Sequence, residues 1–320
     1  MTIVCFGEML LRLAPADGAA LDAADGLSLH VAGAEANVAI SLASLGTAAR
    51  MTTILPDNAL GARALRTLTR HGVDTAACAR RPGRMGLFYI ESPRAGREGG
   101  FFYDRTGSAF AREAAAIDWD AALTGASWLH LSGLTAALGD EAVAAMRRAV
   151  AGARQRDLSI SFDCNFRPLL WQGREAEAAG LLREFAGAAH LLFASDWDAG
   201  LLLGEEAQDG GAARLLASLP DLRWIASTSR MPDGEEEQLG ATLISRTGAA
   251  VIAPPTPITP FVDRVGAGDA FAAGLLHALA SGWDEARALR FAHRACLMKH
   301  AVPGDFSIFS EAEVADALTR

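Results

Sequence analysis

Lysine is almost missing from this chain of 320 residues: Lys299 is the only one, and every other Lys or Arg position is an arginine. A Walker P-loop and a protein-kinase fold both need a phosphate-binding lysine within a fixed motif. The segment around Lys299, LMKHAVPG, matches neither motif. We therefore set aside these two classes of nucleotide-binding protein.

Cysteine and long apolar runs are also scarce. The four cysteines are far apart and form no CxxC pair, which indicates neither a zinc knuckle nor a disulfide framework. There is no uninterrupted apolar run of about 18 residues, so we expect no membrane span. The first residues lack the basic-then-apolar order of a signal peptide. These observations predict a cytoplasmic protein.

The net charge of −9 argues against a nucleic-acid partner, which would need clustered basic residues, and favours small-molecule ligands.

The chain has no visible internal repeat or linker, so we treat residues 1–320 as a single domain. Short β-like runs alternate with amphipathic helical patterns along it; the runs lie at 2–7, 50–55, 127–133, 158–163, 190–195 and 222–228. A helix is predicted over 35–45, where Val38, Leu42 and Leu45 share a face and Gly46 follows. This alternation predicts a largely parallel sheet covered on both faces, with ligands beyond the carboxyl ends of its strands.

Two segments, about 8–32 and 84–106, break this alternation. They contain short extended runs with arginines and glycines, and we expect them to form a small second sheet over the main one. Two long surface loops are the alternative. Because sheets of this kind often pair through their exposed edges, we expect a homodimer or a higher homo-oligomer.

The segment VDRVGAGDAFAAG, residues 262–274, combines a glycine turn with an acid. Gly266 and Gly268 lack the Cβ atoms that would keep backbone N–H groups away from an anion. Phe271 and Leu275 then recur at a spacing of four residues, which predicts a helix from about residue 268. Its free N–H groups and positive dipole end suit a transferring phosphoryl group.

Asp269 in the middle of this turn would repel a phosphate, unless it faces the other reactant. A carboxylate within reach of an attacking hydroxyl acts as a general base, while the neighbouring amides stabilise charge on the phosphoryl oxygens. The alternative is an ordinary N-cap of the helix. A dinucleotide-binding fingerprint fits less well, because Phe271 occupies its third glycine position and the motif lies far from the first strand.

The same segment resembles the carboxyl-terminal signature of the ribokinase/PfkB carbohydrate kinases, and VAGAEANVAISLASLG (31–46) resembles their amino-terminal signature. Four further stretches are similar to the 2-keto-3-deoxygluconate kinases of that family: YDRTGSA (103–109), FDCNFRPLLW (162–171), DRVGAGD with Arg264 in place of the commoner threonine, and KHAVPGDF (299–306). The resemblance spans the whole chain in the expected order. It implies a ribokinase-like three-layer α/β/α sandwich with a mostly parallel central sheet and a small β-sheet lid formed by the segments 8–32 and 84–106. The implied reaction is transfer of the γ-phosphoryl group of ATP, with Mg²⁺, to a terminal sugar hydroxyl.

The resemblance also implies roles for single residues, carried over position by position. Asp269 becomes the base, and Gly266, Ala267 and Gly268 become the anion hole that also receives the nucleotide. The residues implied for the sugar are Gly33, Asn37, Tyr103, Arg105 and Arg167. Asn165 is implied near the phosphates and magnesium.

The arginines can be argued from chemistry as well. A sugar acid carries a carboxylate that a guanidinium grips in bidentate fashion, whereas a neutral sugar needs only hydroxyl partners. Arg105 and Arg167 suit that task, although each could instead be a solvated or salt-bridged arginine. Kinases of fructose, ribose or 5-keto-deoxygluconate, and a non-catalytic sugar-acid-binding homologue, remain as alternatives.

Some positions depart from the family pattern. The usual N-x-x-E segment reads SDWD here, so Ser195 is a nucleotide-binding candidate and Asp198 a magnesium candidate, through water, or a plain helix N-terminal acid. Arg230 precedes an acidic stretch, interpreted as a loop, and either contacts a phosphate or is an exposed loop arginine. In the small sheet either Phe88 or Tyr89 meets the sugar, because neighbouring strand side chains point to opposite faces.

Overall fold

The computed structural model describes residues 1–15, 19–91, 99–206, 210–233, 236–247 and 250–318. Within these residues the larger of two sheets has nine strands. They are β1 (Thr2–Phe6), β4 (Ala48–Pro56), β5 (Cys78–Arg81), β8 (Trp128–Ser132), β9 (Ser159–Asp163), β10 (Leu191–Phe193), β11 (Trp224–Asp233), β12 (Glu236–Ser245) and β13 (Val251–Pro257). The smaller sheet consists of β2 (Leu10–Pro15), β3 (Leu27–Ala32), β6 (Gly86–Glu91) and β7 (Gly100–Asp104).

The helices cover both faces of the large sheet. They are α1 (Ala34–Ser44), α2 (Ala59–Arg70), α3 (Ala109–Glu113), α4 (Trp119–Leu123), α5 (Gly133–Ala136), α6 (Asp140–Arg154), α7 (Glu175–Ala186), α8 (Asp196–Leu203), α9 (Gly211–Ser218), α10 (Ala267–Ala280), α11 (Glu285–His300) and α12 (Glu311–Ala317), with 3₁₀ turns at Ala114–Ala116 and Pro168–Leu170. No helix of the described residues is both long and apolar enough to cross a membrane.

The order of the large sheet is β13-β12-β11-β10-β9-β8-β1-β4-β5. Neighbouring strands from β11 to β5 run parallel, and only the β11–β12 and β12–β13 pairs are antiparallel. Along β1, Val4 and Phe6 join a hydrophobic cluster on one face, while Ile3 and Cys5 join a second cluster on the other. This alternation follows from the two-residue period of a strand. The predicted three-layer arrangement is therefore confirmed.

The local predictions agree closely with the structure. Each of the six predicted strands overlaps an observed strand, and the helix predicted over 35–45 is observed as α1. For the described residues, the interpretation of the acidic stretch after Arg230 as a loop was wrong. There β11 continues to Asp233 and pairs with β12 in a long hairpin. Its outer half carries polar residues on both faces, including exposed Arg230, so the hydrophobic alternation that marks a strand is missing. Residues 234–235 lie outside the described residues.

The small sheet has the order β3-β2-β6-β7, with β2 and β6 parallel and the outer pairs antiparallel. Its strands come from the two segments that break the alternation, so the alternative of two surface loops was wrong. Residues 16–18 and 92–98 of those segments lie outside the described residues.

Candidate active site

A cavity of about 820 Å³ lies between the two sheets. Its lining includes Asp163 at the carboxyl end of β9, Phe193 at the end of β10, and Leu10 and Phe88 from the small sheet. The start of α10, with Asp269, closes another side. The volume suits a small-molecule ligand, and the position beyond the carboxyl ends of parallel strands is the one expected for this class of sheet.

Asp269 is the third residue of α10, and Gly266 occupies the N-cap position. The alternative that Asp269 caps the helix was therefore wrong. The carboxamide of Asn37 donates to Asp269 Oδ2 at 2.7 Å. Burial raises the pKa of Asp269 to about 7, opposed by the Asn37 hydrogen bond and the charge of Arg167. A carboxylate that titrates near neutrality suits a general base.

The fold requires glycine at Gly266 but not at Gly268, as the space around each Cα shows. Gly266 has φ 79°, and a Cβ there would lie 2.0 Å from the carbonyl oxygen of Asp305, so the fold itself requires glycine. Gly268 has no such φ, and a Cβ there would meet no heavy atom within 4 Å. It borders the cavity, so a side chain would take space from a ligand. The N–H of Ala267, one of the three predicted anion donors, already donates to the carbonyl of Arg264 at 3.3 Å.

A second polar group forms at the end of β9. The N–H of Asn165 donates to Asp163 Oδ1 at 3.1 Å. Burial and, next, the charge of Asp269 raise the pKa of Asp163 to about 7. Asn165 Oδ1 is buried and has no hydrogen-bond partner among the described residues. An unpartnered oxygen beside a carboxylate fits Mg²⁺, which binds through one or two carboxylates, water and substrate phosphates.

The predicted magnesium residue Asp198 has a different partner. Asp198 Oδ2 accepts hydrogen bonds from the N–H of Ser195 at 2.8 Å and from its hydroxyl at 2.6 Å, which makes a capping box at the start of α8. Both residues line the cavity, yet the Ser195 hydroxyl and Asp198 Oδ2 already serve the helix terminus. No cluster of three or more His, Cys, Asp or Glu residues in the described ranges could hold a metal alone.

On the sugar side of the cavity, two arginines differ in their partners. Arg105 is buried, and its Nε lies 2.6 Å from Oε2 of Glu8, whose other oxygen accepts a hydrogen bond from Ser108. Arg167 is exposed, and within the described residues it forms no ion pair; its Nη1 bonds only to the adjacent carbonyl of Phe166. Arg105 is thus already neutralised, whereas Arg167 is free to receive an anion.

Further predicted site residues also border the cavity. Gly33 and Asn37 open α1, and Phe88 lies beside Tyr103 with their rings nearly parallel and 6.2 Å apart. Tyr89 is not among the lining residues of the described chain, so Phe88 is the aromatic of β6 that faces the cavity.

Arg230 lines the cavity from β11. Its guanidinium contacts Glu237 Oε2 at 3.3 Å and His300 Nε2 at 2.8 Å. Arg264, the residue that departs from the commoner threonine, is exposed at the rim of the same cavity.

Several residues that line the cavity or contact its lining residues escaped the sequence reasoning. They are Glu8, Arg12, Asp163, Trp197 and Asp305. Asp163 and Asp305 lie within the stretches FDCNFRPLLW and KHAVPGDF, and Asp163 directly ends a predicted strand, a position that could have marked it as a ligand residue. Glu8 and Arg12 act through partners about a hundred or more residues away, and no local pattern indicates such contacts.

An α/β/α sandwich with a second sheet above the carboxyl ends of its strands, and with a glycine turn that leads into an acid-bearing helix, defines a sugar kinase of the ribokinase-like fold. The family model for pfkB family carbohydrate kinases matches residues 1–302, and the chain belongs to this family. ATP binding follows from membership in this kinase family.

Three similar proteins carry more specific names. A 2-dehydro-3-deoxygalactonokinase of Haloferax volcanii is 30% identical over 319 residues, which are 99% of this chain and 96% of the relative. A 2-dehydro-3-deoxygluconokinase of Bacillus subtilis is 27% identical over 94% of this chain and 90% of its own length. The crystal structure of a 2-dehydro-3-deoxygluconokinase from Thermotoga maritima superposes with a TM-score of 0.92 at 31% identity and covers 100% of both chains.

Proposed function

We propose that this protein transfers the γ-phosphoryl group of ATP to the terminal hydroxyl of 2-keto-3-deoxygluconate, also called 2-dehydro-3-deoxygluconate. The observation that carries the proposal is the presence of two arginines, Arg105 and Arg167, in the same cavity as Asp269. A neutral sugar offers such guanidinium groups only hydroxyl oxygens, whereas a sugar acid offers a carboxylate that they bind more strongly and in bidentate fashion. The names of the similar proteins support the same substrate class.

In this mechanism Asp269 accepts the proton of the attacking hydroxyl. Its pKa of about 7 leaves a large ionised fraction at neutral pH and a basicity matched to the task. Asn37 holds Oδ2, which aims the other carboxylate oxygen at the sugar. The amides of the first turn of α10, beginning at the open position Gly268, stabilise charge on the phosphoryl oxygens.

Asp163 and Asn165 would hold Mg²⁺ together with the nucleotide phosphates, and the ion would neutralise charge on those oxygens. Ser195 and Arg230, which line the cavity, are proposed to contact the nucleotide. Asp198 is proposed to act on the metal only through water, because its Oδ2 caps α8.

The sugar acid would lie under the small sheet, against Phe88 and Tyr103. Arg167 would bind its carboxylate directly, and Arg105 would add donors while Glu8 fixes its orientation. Gly33 is proposed to admit a sugar hydroxyl close to the backbone. It has φ 148°, and a Cβ there would lie 2.7 Å from the carbonyl oxygen of Glu8. Covering the sugar with the small sheet would exclude water, the competing acceptor.

The galactonate epimer is a second candidate, favoured by the name of the Haloferax relative. We expect ADP release with Mg·ATP to be fastest for one or both sugar acids in a panel that also contains fructose, ribose and 5-keto-deoxygluconate. If 2-keto-3-deoxygluconate releases no more ADP than a blank without sugar, the proposed substrate is rejected. Absence of turnover with every sugar would favour a non-catalytic binding protein.

The role of Arg167 can be tested on the same panel. Replacement of Arg167 by alanine should lower kcat/KM for the sugar acid by about 10²-fold and have much less effect on any neutral sugar that is turned over. Arg147→Ala is the control, because Arg147 is exposed, pairs with Glu184 and lies away from the cavity. An equal loss for acid and neutral sugars would contradict carboxylate binding by Arg167.

The proposal includes a homodimer that forms through the edge of the small sheet. The edge strand β7 exposes Phe102, with 56% of its surface accessible, on the face opposite Phe101, which lines the cavity. Light scattering should give twice the chain mass, and Phe102→Glu should give the monomer mass. A wild-type protein of monomer mass would reject this arrangement.

A further inference from the structure

Arg12 lies at the centre of the small sheet and reaches toward the phosphoryl-binding turn. It stands on β2, a central strand, in register with Phe88 of β6. Its side chain has 7% of its surface accessible. Nη1 donates to Asp263 Oδ2 at 3.0 Å, and Nε lies 3.0 Å from Asp305 Oδ2. One guanidinium thus connects the small sheet to two aspartates that lie outside it, Asp263 just before α10 and Asp305 after α11.

Both aspartates support the glycine turn through the backbone. Asp263 Oδ1 accepts the N–H of Val265 at 3.0 Å, and its Oδ2 accepts the N–H of Gly304 at 3.0 Å. The carbonyl oxygen of Asp305 lies 2.0 Å from the position that a Cβ on Gly266 would take. The backbone of Asp305 therefore packs against the turn at Gly266, and the Asp263 side chain fixes the start of the turn by its hydrogen bond to Val265.

The charge balance of this cluster depends on Arg12. The Asp305 carboxylate is 3% exposed as a residue, and neither of its oxygens accepts a hydrogen bond from the described residues. Burial raises the pKa of Asp305 to about 6, and Arg12 is the strongest opposing influence. Lys299 is buried nearby and also lowers this pKa, though less than Arg12 does, while its ammonium donates to the carbonyl of Val302. Arg12 does not line the cavity, so any effect on a ligand is indirect.

We propose that Arg12 is a positioning residue for phosphoryl transfer: by holding Asp263 and Asp305 it keeps the 263–268 turn in the shape that presents its amides, and it joins this turn to the small sheet above the sugar. This inference rests on the proposed kinase function. It predicts that the rate of phosphoryl transfer depends on a residue that touches neither the sugar nor the nucleotide.

The test compares Arg12→Ala with Arg50→Ala in the full-length protein. Arg50 is a suitable control, since it pairs with Asp74 at 2.7 Å, is mostly buried and lies away from the cavity. We expect Arg12→Ala to lower kcat at least about tenfold, with the sugar KM changed less than about threefold, and Arg50→Ala to change kcat less than about twofold. Added guanidinium ion, at concentrations that leave the wild type unaffected, should restore part of the kcat of Arg12→Ala only.

The inference is overturned if Arg12→Ala keeps its kcat within about twofold of the wild type, or if folded Arg12→Ala gains nothing from guanidinium. Loss of a buried ion partner can also prevent folding. If near-ultraviolet circular dichroism shows that Arg12→Ala does not fold, the kcat of Arg12→Lys is measured instead. A lysine keeps the charge but lacks the fork that bridges two carboxylates. A tenfold lower kcat supports the inference, and an unchanged kcat rejects it.

A failure of the proposed substrate is distinguishable from a failure of this inference. If another sugar proves to be the substrate, wild type and variants are compared on that sugar. If no sugar is turned over, titration calorimetry with Mg·ATP replaces the rate measurement. Arg12→Ala should then bind ATP at least about fivefold more weakly than Arg50→Ala, and equal affinities would overturn the role of Arg12.

Discussion

Asn37 and Asp269 are separated by 232 positions in the chain, yet the carboxamide of Asn37 donates to Asp269 Oδ2 at 2.7 Å. This contact joins the start of α1 to the start of α10. The other amide atom, Asn37 Oδ1, is buried without a hydrogen-bond partner among the described residues. One side chain thus stabilises the carboxylate of Asp269, the proposed base, and leaves an acceptor that a sugar hydroxyl would reach in the proposed mechanism, which would link sugar binding to the ionisation of Asp269.

The first prediction concerns the pH dependence of Asn37→Ala. The hydrogen bond from Asn37 lowers the pKa of Asp269, so its removal raises that pKa above about 7. Because only the ionised base accepts a proton, the acid limb of kcat/KM against pH should move to higher pH. Ser41→Ala is the control, since Ser41 bonds within the same helix, to the carbonyl of Asn37. An acid limb that does not move would show that Asn37 does not tune the base.

Asp269→Asn should separate catalysis from stability. We expect turnover to fall by about 10³-fold or more while ATP affinity changes little. Burial raises the folded-state pKa to about 7, whereas the unfolded value lies near 3.8. The protonated acid therefore favours folding at low pH, and this advantage is lost as the pH rises from about 4 through 7. Asparagine does not ionise, so the variant does not lose stability over this pH range. Its Tm should therefore exceed that of the wild type at pH 8 but not at pH 4.

Differential scanning fluorimetry at the two pH values and an ADP-release assay test this prediction. Asp221→Asn is the control, because Asp221 is exposed and pairs with Arg154 away from the cavity. Retained turnover in Asp269→Asn would remove Asp269 from the role of base, and an equal Tm difference at both pH values would contradict the linkage argument.

Local patterns were enough to predict six strands of the large sheet, α1 and the start of α10, because hydrophobic periodicity and the glycine turn are properties of neighbouring residues. The contacts that complete the site are not local. Arg12 and Asp263 are 251 positions apart, and Glu8 and Arg105 are 97 positions apart. A sequence shows that a charge is present but not which charge lies opposite it. Arg105 was for that reason predicted without its partner Glu8.

Gly266 and Gly268 should respond in opposite ways to alanine. At Gly266 the new Cβ would clash with the carbonyl of Asp305 at a positive φ, so we expect a loss of several kcal/mol in the free energy of unfolding. At Gly268 the Cβ meets no protein atom, and alanine favours a helix over glycine by about 1 kcal/mol. Gly268→Ala should therefore keep or raise the Tm yet lower kcat/KM for ATP, because the methyl group would enter the proposed phosphoryl site. Unchanged ATP kinetics in this variant would contradict the assigned anion site.

Glu8→Gln tests whether a ligand carboxylate reaches Arg105. The Glu8–Arg105 pair is almost completely buried, so loss of the negative charge should cost about 3 kcal/mol of folding free energy. The exposed Arg147–Glu184 pair is joined by two hydrogen bonds of 2.7 Å, and Glu184→Gln should cost less than about 1 kcal/mol. If a bound sugar acid supplies a new carboxylate to Arg105, saturating 2-keto-3-deoxygluconate should raise the Tm of Glu8→Gln more than that of the wild type. An equal or smaller rise would show that Arg105 serves the fold through Glu8 and leaves Arg167 as the arginine that binds the sugar acid.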